Sequence, residues 1–272
     1  MHKSSEKFAV VQQSLAPIDQ KKLVKAFGEW PKLTTFDAKR LSREAYGIIC
    51  QAMEEHEAVE LAEILNRHSI GATATSERLL ALAPITTVRK ATFSSDKISL
   101  FVYPDTPQYF PWQAISVISL AAYEQTDTKL AEQGGWTPIW GGAPRRSWWG
   151  GGRVMPLVWK EAKFKEIKTD HIFLDVLCER PFRRFQIMPN TFDYEYLGGR
   201  LTRDYVLNFI ELVNDLKHFA QSTAFNSSFL TFQKDQQTIK NFDLKVHYER
   251  ELRWHRWYHL TAPYFHRGSV SM

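Results

Sequence analysis

Residues 54–76, "EEHEAVELAEILNRHSIGATATS", contain the change from helical to strand pattern that organises the first third of the chain. Acidic residues fill the first turn, where a helix N-terminus favours negative charge, and Ala58, Leu61, Ala62 and Leu65 recur at helical spacing. Asn66, Arg67 and His68 stand near the helix end, and the small-residue run "IGATATS" returns as a strand. Upstream, the apolar run "YGIICQAM" reads as a strand. Before it, "TTFDAKRLSREA" carries Ala38, Leu41 and Ala45 along one stripe after Phe36. "QKKLVKAFGEW" places Leu23, Ala26 and Phe27 on one face behind Asp19, a capping residue. "KFAVVQ", closed by the turn around Pro17, opens the series as a β-run.

The order strand, two helices, strand, helix, strand over about residues 7–76 resembles the C-terminal domain of the ribosomal stalk protein of the large subunit. The likeness rests on "FDAKRLSREA" and "HEAVELAEILNRHSIGATATS". It implies a small α/β domain, and in that family lysine and glycine positions around the first of these helices help form a face that meets translation factors. Lys39 matches the lysine, whereas Thr34 and Thr35 stand where glycine and leucine are the rule, and Ala52 stands near a usual glycine.

Near "LLALAPITT" Pro84 ends the first pattern and alternation takes over. "TTVRKATF", "KISLFVY" and "YFPW" are short β-runs divided by the turn-forming "SSD" and "PDTP". "AISVISLAAYEQ", "HIFLDVLCE" and "FRRFQIM" continue the series. A strong helix follows at 202–219, with Tyr205, Phe209, Leu212, Val213, Leu216 and Phe219 in its stripe and Thr202 placed as its cap. This order, with Trp112 followed by Ile115 and Ile118, resembles the pleckstrin-homology-like class and its GRAM relatives over roughly 86–220. That resemblance implies an antiparallel barrel closed by one helix. Arg89, Lys90 and Lys97 fall short of the basic cluster that inositol-lipid binding requires, so lipid binding is not supported.

The expected architecture is therefore α+β: a stalk-like domain at 1–80, a pleckstrin-homology-like β domain at 85–220, and an aromatic, His-rich arm at 221–272. Between two strands of the second domain lies an insertion at about 126–165, including "WTPIWGGAPRRSWWGGGR" at 136–153. Its glycines oppose regular structure through backbone freedom. Trp136, Trp140, Trp148 and Trp149, interleaved with Arg145, Arg146 and Arg153, have the make-up of interface hot spots and of single-strand stacking platforms. The same tryptophans could instead cover the open end of the barrel.

In the C-terminal arm, Leu252, Trp254, Trp257 and Leu260 form an apolar stripe able to dock on the barrel or on another subunit, with Arg250, Arg253 and Arg256 facing water. Arg253, Trp254, Arg256 and Trp257 join the candidate binding residues. His255 and His259 have the i,i+4 spacing of a helical metal pair, but "HRWYH" lacks the glutamate of the zinc-peptidase motif, and neither metal nor cofactor is expected.

Hydrophobic residues at 44% suffice for real cores, and Lys+Arg exceed Asp+Glu only 35 to 30, short of a dedicated nucleic-acid binder. The start lacks the apolar run of a signal peptide, and Cys50 and Cys178 sit inside apolar runs as buried thiols, so the expected compartment is the cytoplasm. Phosphate-binding, dinucleotide and nucleophile-elbow motifs are absent. Asp193 and Glu195 in "FDYEYLGGR" could do acid/base work but read first as a turn before the helix. The expectation is a non-catalytic protein-interaction or regulatory scaffold, its partner another protein or itself. The alternative is a single-stranded nucleic-acid binder, and an enzyme of unfamiliar type comes third.

Overall fold

A computed structural model of the chain describes residues 6–132, 135–138, 145–146, 153–154, 157–160, 163–235, 241–242 and 245–265. The fold is α+β. By its contacts the chain divides into two units, residues 1–123 with 172–272, and residues 124–171.

In the first unit β1 (Phe8–Gln12), α1 (Gln20–Glu29), α2 (Thr35–Glu44), β2 (Ile48–Met53), α3 (Glu55–Arg67) and β3 (Ala72–Ser76) follow one another. Each helix start is set locally. The Asp19 carboxylate accepts from the Lys21 and Lys22 amides, the Thr34 hydroxyl accepts from the Asp37 amide, and Glu57 reaches back to the Glu54 amide. β1 lies between β2 and β3 and is antiparallel to both. Alternate residues of β1 face opposite sides: Val10 joins the helical core of Leu23, Phe27, Leu61 and Leu65, while Ala9 and Val11 face away from it.

After α4 (Glu77–Leu80) come β4 (Ile85–Phe93), β5 (Lys97–Val102), β6 (Thr106–Pro111) and β7 (Ile115–Glu132). Then follow β8 (Gly135–Pro138), β9 (Arg145–Arg146), β10 (Arg153–Val154), β11 (Leu157–Lys160), β12 (Lys163–Glu179) and β13 (Phe182–Ile187). The chain ends with α5 (Tyr205–Phe219), β14 (Ala224–Phe225), α6 (Ser227–Asp235), β15 (Asn241–Phe242) and α7 (Lys245–Phe265). The larger sheet has the order β14-β7-β12-β13-β4-β5-β6, with β15 also on β7. Where the sequence suggests an antiparallel barrel, the path among the described residues is open at β6 and β14, and β13 runs parallel to β4.

One face of this sheet, with Val88, Ile98, Leu100 and Phe185, closes on Phe209, Leu212 and Leu216 of α5 and on Phe229 and Phe232 of α6. The cap of α5 is Asp204, which accepts from the Val206 amide at 2.8 Å. Thr202, the expected cap, instead lies 3.0 Å from the Asp204 carbonyl and from the Asn208 side-chain oxygen. Buried Asn226 completes the β7 edge between β14 and β15: its amide accepts from Leu120 N at 3.0 Å and donates to Leu120 O at 2.9 Å, as a strand residue does.

α7 fills the space beyond the opposite face. Tyr248 and Leu252 pack with Val117, Ala121, Phe173 and Leu177 of the large sheet, and Trp254 and Trp257 pack with Ala9, Val11, Ile48 and Leu80. At the inner end of this contact Asp175, fully buried, accepts from Arg184 Nη2 and from the Tyr248 hydroxyl at 2.8 Å each, and from Gln186 at 3.2 Å. Arg184 also meets Glu249 at 3.1 Å.

Both cysteines are free thiols. Burial pushes Cys50 up to about 11 and Cys178 up to about 12. Cys50 should therefore hold about two, and Cys178 about three, orders of magnitude less thiolate at neutral pH than an ordinary exposed thiol, and thiolate is the reactive form. Alkylation of the folded protein followed by mass spectrometry should leave both unmodified under conditions that label both in denaturant; rapid native labelling of Cys178 would contradict its packing.

Candidate functional site

Within residues 124–171 the short described strands pair among themselves. β8 and β11 form an antiparallel two-stranded ladder with Trp136 opposite Trp159 and Gly135 opposite Lys160. Nested within it, β9 and β10 place Arg146 opposite Arg153 and Arg145 opposite Val154. Flanking both, β7 extends to Glu132 and β12 begins at Lys163, and these two strands are neighbours in the large sheet. The expectation that glycines keep this stretch irregular is thus corrected at Gly135, while Gly134, Gly141, Gly142 and Gly150 to Gly152 lie outside the described residues. Backbone freedom at Gly135 does not prevent pairing, because the ladder forms through main-chain groups that every non-proline residue carries. The usable signal was the apolar run "LVWK" standing opposite "GWTP" about a central Gly-rich segment. Trp140, Trp148 and Trp149 lie outside the described residues.

Charge is one-sided only in the middle of this ribbon, between Glu132 and Glu161. From 133 to 160 the chain carries Arg145, Arg146, Arg153 and Lys160 and no aspartate or glutamate, together with Trp136, Trp140, Trp148, Trp149 and Trp159.

The C-terminal candidates occupy a different setting. Trp254 is fully buried and Trp257 nearly so, both inside this chain's own core rather than on a contact surface. The Trp254 indole donates to Gln12 O at 2.8 Å. Arg250 and Arg256, expected to face water, turn inward. Arg250 Nε donates to Ile48 O at 3.1 Å, and Arg256 grips Glu179 with Nε at 2.9 Å and Nη2 at 2.8 Å, its guanidinium 3.8 Å from the Phe182 ring centre. Arg253 is half-buried and lines a pocket with Glu77, Glu249 and Arg184. A single amphipathic stripe underestimates this helix because two sheets cover it from two directions.

A cleft of about 840 Å³ opens where Pro111, Gln113–Ser116, Glu179, Arg180, Gln221–Ala224, His259 and Leu260 converge. Its polar wall is already engaged: Ser116 Oγ donates to Glu179 Oε1 at 2.6 Å, beside the Arg256 bonds, and Thr223 donates to Ile115 O at 3.2 Å. Burial lowers the His259 pKa, favouring the neutral imidazole. The His255 and His259 rings lie 4.9 Å apart, and among the described residues no group of three His, Cys, Asp or Glu side chains could hold a metal. Asp193 and Glu195 have structural partners. Asp193 accepts from the Glu195 amide at 2.9 Å, and the hydrogen bond from Lys90 at 2.8 Å draws the Glu195 pKa below its usual value.

No helix among the described residues is long and apolar enough to cross a membrane. Compared with family models, curated proteins and solved structures, the chain matches none.

Proposed function

We propose that this chain is a non-catalytic interaction protein and that the ribbon of residues 124–171 is the element that meets its partner. The carrying observation is the ribbon's construction. Its β8–β11 and β9–β10 ladders are two-stranded, a two-stranded ladder has no interior of its own, and the segment from 133 to 160 bears five tryptophans. A partner surface is what such a segment needs. The C-terminal helix is not that surface, because Trp254 and Trp257 are spent on the core. A binding role also accords with the carboxylates: Asp175 and Glu179 are both tied to arginines and hydroxyl donors.

The fold likenesses belong to the same proposal. The element order of residues 8–76 supports the stalk-protein likeness, and α5 closing one sheet face supports the pleckstrin-homology-like one. Two free thiols support a reducing compartment, and we place the protein in the cytoplasm.

The test is affinity capture on the intact chain and on a variant with Arg145, Arg146, Trp148 and Trp149 all replaced by alanine, with and without nuclease. The variant should keep its melting temperature and lose the captured partner. Unchanged recovery would sink the reading.

A further inference from the structure

We infer that the pocket of about 480 Å³ lined by Arg253, Glu249, Arg184 and Glu77 binds a free α-amino acid with an aliphatic side chain. All of its residues belong to the first unit, so the site stands apart from the role proposed for the ribbon. It turns on Arg253, whose guanidinium stays charged at every physiological pH. Glu249 stands one turn before Arg253 on α7, the favoured order for an ion pair along a helix, yet it turns to Arg184 Nη1 at 3.1 Å. Arg253 is left with no ion pair or hydrogen bond among the described residues, although it is half-buried and its Nε is shielded from water. Its neighbours on the helix differ: Arg250 donates to Ile48 O, and Arg256 grips Glu179. A carboxylate in the pocket would supply the counter-charge that Arg253 lacks.

The rest of the wall disfavours a simple anion. Glu77 Oε1 accepts from the Ala52 amide at 2.6 Å and Glu249 Oε1 from Arg184, so each carboxylate keeps a second oxygen without a hydrogen bond among the described residues. Arg184 is itself held by Asp175. The pocket thus presents one unpaired cation and two carboxylates that form no ion pair with it. A plain carboxylic acid would be drawn to the first and repelled by the others, and a plain amine the reverse. An α-amino acid carries both charges on one carbon, its carboxylate for Arg253 and its ammonium for Glu77 and Glu249. Leu80, Leu82, Pro84 and Ile85 make the remaining wall apolar, which suits an aliphatic side chain, and the volume falls in the small-molecule range of about 300–1,000 Å³.

The experiment is isothermal titration calorimetry of the full chain with L-leucine, set against isocaproate, which lacks the ammonium, and isoamylamine, which lacks the carboxylate. L-leucine should bind at one site per chain and each analogue about tenfold or more weaker, the usual scale for losing a hydrogen-bonded charge. Arg253→Gln should weaken L-leucine by a similar factor without weakening isoamylamine. The Glu77→Gln/Glu249→Gln variant should weaken L-leucine without weakening isocaproate, and its amides still offer acceptors to Ala52 and Arg184. The analogue series needs no substitution, so it decides the matter even where a variant loses its melting transition. No saturable heat with millimolar L-leucine, isocaproate or isoamylamine binding as tightly as L-leucine, L-glutamate binding as tightly, or full affinity in a folded Arg253→Gln variant would each overturn the inference.

Discussion

Replacing Trp254 by alanine is expected to lower the unfolding free energy by about 3–5 kcal/mol, the usual cost of deleting a buried large aromatic. The side chain is fully buried, meets the Tyr46 ring edge-on at 5.0 Å, and donates its indole N–H to Gln12 O. Truncation removes the apolar contact and leaves the Gln12 carbonyl without that donor. Gly47 makes the position more demanding still. It adopts φ +72°, and a Cβ there would lie 2.3 Å from Trp254 Cδ2. Gly47→Ala should therefore be severely destabilising alone, yet far less so in the Trp254→Ala background. There the clash is gone, and only the left-handed backbone cost of roughly 1–2 kcal/mol remains. Urea unfolding of the two single variants and the double variant measures this coupling. Additive losses would show that the glycine and the indole do not constrain each other.

Asp175→Ala should be comparably severe, about 3–5 kcal/mol, because it strands a charge rather than merely deleting a contact. Arg184 is nearly inaccessible, and Asp175 supplies two of its hydrogen bonds, from Nε at 3.3 Å and Nη2 at 2.8 Å. Burial raises the Asp175 pKa, with Arg184 opposing; burial is also the largest influence on Arg184 and pulls its pKa down, but the charge and hydrogen bonds of Asp175, together with Tyr248 and Glu249, hold it above its usual value. Removing both charges together, as Asp175→Leu with Arg184→Met, should recover much of the loss, since two apolar side chains need no partner there. Thermal and urea unfolding of the three variants distinguishes these outcomes. A double variant as unstable as the sum of the singles would mean that Tyr248, Gln186 and Glu249 depend on the ion pair for their own placement.

Much of the N-terminal third was legible because its signals are local. Asp19 and Thr34 cap helices within three residues of themselves, and α1 and α3 each present one apolar stripe to one side. Six strands of the large sheet, β4 to β7, β12 and β13, were legible from alternation, and so was the closing helix at α5, whereas β14 and β15 were not read. Three features were not. Asp204 rather than Thr202 caps α5, a choice between two good capping residues two positions apart. The second closing helix, α6, was hidden because Phe229 and Phe232 are separated by polar residues in a short segment. The ribbon was hidden because glycine content argues against strands, while its pairing depends on matching two segments across a turn.

The candidate residues divide along the same line. Composition alone marked Trp136, Arg145, Arg146 and Arg153 as unusual, and no other part of the chain changes that. Composition marked Trp254, Trp257 and Arg256 equally, and there it misled, because the same aromatic and basic side chains serve a core as well as a surface.

By itself the sequence determined where α1, α2 and α3 begin, which of their faces are apolar, and that no acid accompanies the cations between 133 and 160, since these depend on neighbours a few residues apart. Only the tertiary structure decided that α7 lies between two sheets and that Asp175 meets both Arg184 and Tyr248. Tyr248 is 73 positions from Asp175, and Trp254 bonds to a carbonyl 242 positions away. No local pattern records such partners, because burial is a property of everything the chain folds against.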